Sequence, residues 1–167
     1  YSLTSMPSAP IIWDKKNNKG KCKALIVNSG NANAHTGIKG LKNIDIYTKE
    51  LCKFLSISKE EILVSSTGVI GEQLNSELIC KKIKKISFEK NKTLTYAAKA
   101  IWTTDTFVKT SIYNLKIKNK NIKIYDFAKG SGMISPNMGT MLAYIFIDCK
   151  LSSKILKKLL SANIEET

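Results

Sequence analysis

The chain has 167 residues, 43% hydrophobic and 24% charged, an ordinary globular composition with the length for one domain and a real core. No apolar run approaches the roughly 18 residues that a membrane helix needs; the longest candidate, Met141–Ile147, is strand-sized. A net charge of +14 invites a nucleic-acid reading, but every basic residue is Lys, with no Arg to fork a phosphate or read a guanine edge, and the lysines are scattered over predicted helices and hairpins as solvated faces.

Tyr1 to Trp13, with Pro7, Pro10 and the apolar Ile11-Ile12-Trp13, reads as an extended lead-in to a strand or helix, and Asp14 to Gly20 as a polar turn. Cys22 to Val27 reads as a short buried strand. It delivers Asn28-Ser-Gly-Asn-Ala-Asn-Ala-His-Thr-Gly37, whose asparagines and glycines predict a loop. Such a loop either binds a ligand or is a polar turn stabilised by its asparagine side chains. Leu41 to Leu55 sets Ile44, Tyr47, Leu51, Phe54 and Leu55 at helical spacing, as core residues. Ser58-Lys-Glu-Glu61 resembles a capping box. Ile62 to Ser65 is the next short strand, and Ser66-Thr-Gly-Val-Ile-Gly-Glu72 a turn after it. Thr67 and Gly68 at such a turn can offer a hydroxyl and a backbone N–H to an oxyanion, or simply lead from strand to helix.

Glu77 to Ile86 predicts a surface helix with Leu78, Ile79, Ile83 and Ile86 on one face. Leu94 to Trp102 predicts another, with Ala97, Ala98 and Ile101 inward, ending in the polar Thr103-Thr-Asp-Thr106, a cap or turn. Phe107–Ile117 and Ile122–Phe127 read as a hairpin turning at Lys118-Asn-Lys-Asn121. Lys129-Gly-Ser-Gly-Met-Ile-Ser-Pro-Asn-Met-Gly-Thr-Met-Leu142 is then a tight, irregular loop running into a buried strand, Met141 to Asp148. Ser152 to Ala162 carries Ile155, Leu156, Leu159 and Leu160, a last amphipathic helix. Three loops that each follow a short apolar strand, with helices between, predict one layered α/β domain with its loops converging at a sheet edge.

The last of these loops suggests a chemistry. If the Gly139–Thr140 bond were cut, Thr140 would carry a hydroxyl nucleophile and a free α-amine able to act as its base. The alternative is a glycine-rich turn before a strand. The lone His35 leaves a Ser-His-Asp arrangement without support. Cys22, Cys52, Cys80 and Cys149 are far apart, signal neither a zinc site nor a disulfide framework, and suit a reducing, cytoplasmic compartment. No signal or transit pattern is legible; the chain opens at Tyr1 rather than Met, so a natural start, with any targeting information it carries, is expected to be missing.

The wording Lys-Gly-Ser-Gly-Met-Ile-x-Pro-Asn-Met-x-Thr-Met-Leu closely resembles the self-cleavage signature of the ornithine acetyltransferase, or glutamate N-acetyltransferase (ArgJ), family. Asn28-Ser-Gly-Asn-Ala-Asn-Ala-x-Thr-Gly37 is similar to that family too. One position departs: Gly139 stands where the family usually has Ala, and glycine tolerates unusual backbone angles.

The resemblance implies an α/β sandwich of the DmpA/ArgJ type, cleaved between Gly139 and Thr140. Residues 1–139 would be most of an α segment and 140–167 the start of a β segment, a single partial domain of a protein extending in both directions. It implies acetyl transfer from N2-acetylornithine to glutamate through acetyl-Thr140, with acetyl-CoA a further donor in some members and no metal or organic cofactor. Thr67 and Gly68 would form the oxyanion hole, and Thr103, Thr104 and Lys129 would bind substrate. The partners implied are these small molecules and the two segments themselves, as a heterotetramer with two of each, without nucleic acid or membrane. A self-cleaving aminopeptidase of the DmpA type is a second enzyme reading, and a lysine-rich nucleic-acid-binding domain the non-enzyme one.

Overall fold

The computed structural model describes residues 5–86, 93–130 and 141–163. The first helix, α1 (Ala9–Asn17), carries Pro10 in its first turn, where the missing N–H costs nothing. Ala9, Trp13 and Asn17, four residues apart, make its buried stripe. The predicted polar turn from Asp14 is therefore helix as far as Asn17. Lysines on the outer face hide the stripe, and Asn17 is accommodated inside because its side-chain amide donates to the Trp13 carbonyl at 2.8 Å.

The next unit is a parallel pair, β1 (Ala24–Asn31) and β2 (Ile62–Val69), bridged by the long helix α2 (Gly37–Leu55) and a short 3₁₀ turn, Lys59–Glu61. The Ser58–Glu61 capping box is present at that turn, as expected. α2 buries Ile44, Tyr47, Thr48 and Leu51, and the Trp13 indole N–H donates to Asp45 at 2.8 Å, tying α1 to it. Phe54, expected in the core, is 37% exposed. α3 (Ser76–Ile83) packs Ile83 inward but leaves Leu78 exposed, and Ile86, past the end of the helix, is exposed too. Together these elements close a first core of Trp13, Ile44, Tyr47, Leu51, Ile62, Val64 and Ile83.

α4 (Leu94–Ile101) then leads to an antiparallel sheet of β3 (Lys109–Ile117), β4 (Lys120–Lys129) and β5 (Leu142–Ile147), followed by α5 (Ser153–Asn163). Ala98 and Ile101 of α4 pack with Phe127 in a second core, joined by Val27 of β1 and Tyr144 of β5; Ala97 is exposed. The strands form two sheets, β1-β2 and β3-β4-β5, where one sheet edge was expected. The β3–β4 hairpin turns over Lys118 and Asn119 alone, Lys118 adopting a positive φ of 53°, so Lys120 and Asn121 belong to the strand.

The polar stretch after Val27 departs most from expectation. Asn28 to Asn31 are strand, and so are Ser66 to Val69, pairing as Asn28↔Ser66, Ser29↔Thr67 and Gly30↔Gly68. Side-chain hydrogen bonds replace apolar burial there: Ser66 Oγ donates to Asn28 Oδ1 at 2.6 Å, and Asn28 Nδ2 to the Asn31 carbonyl at 2.7 Å.

Candidate active site

Thr67 and Gly68 close the parallel strand pair. Ile62 and Val64 face the first core, so strand alternation puts Ser65 and Thr67 on the opposite face. Val27, paired with Ser65, packs there against α4 and β4. Tyr144 of β5 packs in the same second core as Val27, so β5 lies against this same face. Thr67 is itself buried, 7% exposed. Gly68 has a φ of +130°, and a Cβ on it would meet the Gly30 carbonyl carbon at 2.3 Å, so the two strand ends approach as only glycine permits. The expected turn is thus the close of a strand, which fixes the Thr67-Gly68 backbone more firmly than a turn would.

Behind them, the asparagines of residues 28–37 serve their own loop. Asn33, fully buried with a φ of 46°, donates to the Gly40 carbonyl at 3.2 Å and accepts from Thr36 Oγ1 at 2.8 Å. Asn31 Oδ1 accepts from the Asn33 N–H at 2.7 Å, and Asn31 Nδ2 donates to the Glu72 carbonyl at 3.1 Å. Of the two readings of this loop, the hydrogen bonds are those of a polar turn that ties α2 and both strand ends together.

Lys129 ends β4 and is buried at 8% exposure, and its ammonium donates to Thr103 Oγ1 at 3.1 Å. Among the described residues no carboxylate pairs with it. Thr103 and Lys129 are therefore brought together, and Thr104 stands beside Thr103 past the end of α4. No hydrogen bond joins Thr67 or Gly68 to Thr103 or Lys129 among the described residues. Gly139 and Thr140 lie outside the described residues.

Asp105 was passed over as part of a cap or turn. Its carboxylate is buried, pairs with the Lys109 ammonium and accepts the Gly130 N–H at 2.8 Å. Lys109 also donates to the Gly130 carbonyl at 2.7 Å. Burial alone would raise the Asp105 carboxyl, but the Lys109 hydrogen bond and charge and the Gly130 N–H outweigh it and hold it below the usual carboxylate range. The signal was in the sequence: opposite charges four residues apart, just after a predicted helix. Among the described residues no cluster of three His, Cys, Asp or Glu side chains could hold a metal ion.

Residues 1–167, the whole chain, match the model of the ArgJ family. The chain belongs to the ArgJ family. It is 40% identical over 169 residues to the arginine biosynthesis bifunctional protein ArgJ of Caldanaerobacter subterraneus, and 42% identical over 168 residues to that of Lactococcus lactis. Both alignments cover 100% of this ArgJ-family chain and 42% of the relative, so the chain spans well under half their length. Its fold is similar to the crystal structure of ArgJ from Bacillus halodurans, with a TM-score of 0.75 at 34% identity, covering 85% of this chain and 74% of that one. It is also similar to ornithine acetyltransferase from Mycobacterium tuberculosis complexed with ornithine, with a TM-score of 0.68 at 26% identity, covering 85% and 75%. The α/β fold of this chain is thus that of the ArgJ family.

Proposed function

We propose that this chain is the central part of an acetyltransferase of arginine biosynthesis, cleaved between Gly139 and Thr140 and using Thr140 as its nucleophile. The observation that carries the reading is Lys129, a buried ammonium held by a neutral Thr103 hydroxyl immediately before the loop that contains Thr140. A buried cation is costly without a counter-charge, and the carboxylate of an amino-acid substrate would supply one. Thr103, Thr104 and Lys129 are the substrate-binding residues of this proposal.

In the first half-reaction the Thr140 hydroxyl oxygen attacks the acetyl carbonyl carbon of N2-acetylornithine, and the Thr140 α-amine takes the hydroxyl proton. Thr67, through its hydroxyl, and Gly68, through its N–H, stabilise the oxyanion. Collapse breaks the carbon–nitrogen bond, the proton passes to the departing amine, and ornithine leaves acetyl-Thr140. The glutamate amine then attacks that ester, and the proton returns to the Thr140 oxygen as N-acetylglutamate departs. No cofactor takes part in this proposal. Residues 1–139 belong to an α segment and 140–167 begin a β segment, two of each assembling as a cytoplasmic heterotetramer.

The test is an intact-mass measurement of the chain produced at its relatives' length. A new N-terminus reading Thr-Met-Leu-Ala is expected, with Thr140→Ala remaining in one piece; equal cleavage of that variant would sink the reading. Release of ornithine and N-acetylglutamate by the processed protein separates acetyl transfer from peptide hydrolysis.

A further inference from the structure

We infer that Asp105 and Lys109 are positioning residues for the loop that carries Thr140, acting by clasping both backbone polar groups of Gly130. The inference rests on the proposed role of Thr140. β4 and β5 pair at Lys129↔Leu142, so the intervening stretch leaves and re-enters the sheet at adjacent positions. Gly130 is its first residue, at a φ of +153°. Its N–H is taken by Asp105 Oδ1 at 2.8 Å and its carbonyl by Lys109 Nζ at 2.7 Å, while the two side chains pair with each other. The direction in which the chain leaves β4 is thereby set. The clasp is anchored in turn: the Trp102 indole N–H donates to the Asp105 carbonyl, and Thr103, two residues before Asp105, holds Lys129.

Stability is a poor explanation for this arrangement. The Asp105 side chain is only 2% exposed, and its Oδ2 has no hydrogen-bond partner among the described residues. Burying a carboxylate against a lysine commonly gains little over apolar packing. What the pair gives is orientation, since each charge fixes one end of the same residue.

The experiment follows the first-order rate of cleavage before Thr140 by intact mass, in the full-length precursor, with thermal unfolding measured in parallel. Misplacing a reacting group by about 1 Å costs about 100-fold. Lys109→Met and Asp105→Ala are therefore expected to slow cleavage about 100-fold, with Asp105→Asn, which keeps an acceptor for the Gly130 N–H, between them and the unmutated chain. Lys109→Arg is expected to recover part of the rate. Ile44→Val, a distant core change, serves as the stability control. Unchanged cleavage in Lys109→Met and Asp105→Ala overturns the clasp, as does a loss that follows the fall in melting temperature on the same line as Ile44→Val. Cleavage of Thr140→Ala, or none in the unmutated precursor, overturns the reading of Thr140 and this inference with it.

Discussion

Gly68 has no room for a side chain. A methyl group there meets the Gly30 carbonyl carbon at 2.3 Å and the Asn31 nitrogen at 2.5 Å, both backbone atoms that cannot turn aside. Gly68→Ala is expected to push the ends of β1 and β2 apart and displace both proposed oxyanion donors, so turnover should fall by more than the loss of one donor. Thr67→Val removes only the hydroxyl; steady-state kinetics should show turnover slowed about 100- to 1000-fold with little change in fold. Near-normal turnover in Thr67→Val would leave its hydroxyl a structural role alone. Asp14 gives a pH prediction. Its carboxylate accepts the Val64 N–H at 3.0 Å, and burial, opposed by that N–H, pushes it up from 3.8 to about 7. Between those values the folded state holds a proton that the unfolded chain has lost. The group's contribution is therefore complete below about pH 4 and disappears as pH rises through about 7. Asp14→Asn mimics the protonated form, so the drop in melting temperature between about pH 5 and about pH 8 should shrink in that variant. An undiminished drop would assign it to other groups.

The elements show what the chain's periodicity could and could not announce. α2 was legible because Ile44, Tyr47 and Leu51 recur at helical spacing, and all three are buried. Ile44 is fully enclosed, so Ile44→Ala is expected to cost about 2–5 kcal/mol in denaturant unfolding, and under about 1 kcal/mol would mean that the site collapses around the gap. The capping box and the hairpin were legible for similar local reasons. α1 was not, because Asp14, Lys15 and Lys16 obscure a stripe of only one residue per turn. The ends of β1 and β2 were missed because glycine and asparagine disfavour strands; cross-strand hydrogen bonds between Asn28 and Ser66 override that preference. In the candidate site, Thr67, Gly68, Thr103 and Lys129 were named from family wording, whereas Asp105 and Lys109 had no apolar pattern to draw attention to them. Their meeting with Gly130 is a tertiary fact.

At the scale of the molecule, the apolar surface is divided unevenly. The first core closes on itself, but Ile112, Tyr113, Ile117, Ile145 and Phe146 of the antiparallel sheet are exposed, as are Ile155, Leu156, Leu159 and Leu160 of α5. By register Tyr113, Ile117 and Ile145 share the sheet face turned away from Phe127, and exposed apolar faces of this kind mark surfaces that pack against something. The chain spans 42% of its relatives' length, and the remainder of such a protein is the covering expected for these faces. The isolated 167-residue chain is therefore expected to transfer no acetyl group from N-acetylornithine to glutamate at a useful rate. Supplying the C-terminal continuation, in the same chain or a separate one, should restore transfer, read as free ornithine and N-acetylglutamate by mass spectrometry. Robust turnover by the isolated chain would show the continuation to be dispensable.

The β4–β5 ladder runs from Ile124↔Ile147 to Lys129↔Leu142, on either side of the proposed scissile bond. Cutting before Thr140 would leave the ladder intact while giving its two strands to different polypeptides. One covalent hairpin becomes a two-component assembly, and its thermodynamics change order. The precursor should melt at a temperature independent of its dilution. Once cut, the protein should melt lower the more it is diluted, and should regain structure at a rate that scales with the concentration of both pieces. The proposed nick would thereby make folding history matter: a protein cut in this way is assembled once as a single chain, and reassembles afterwards only by encounter.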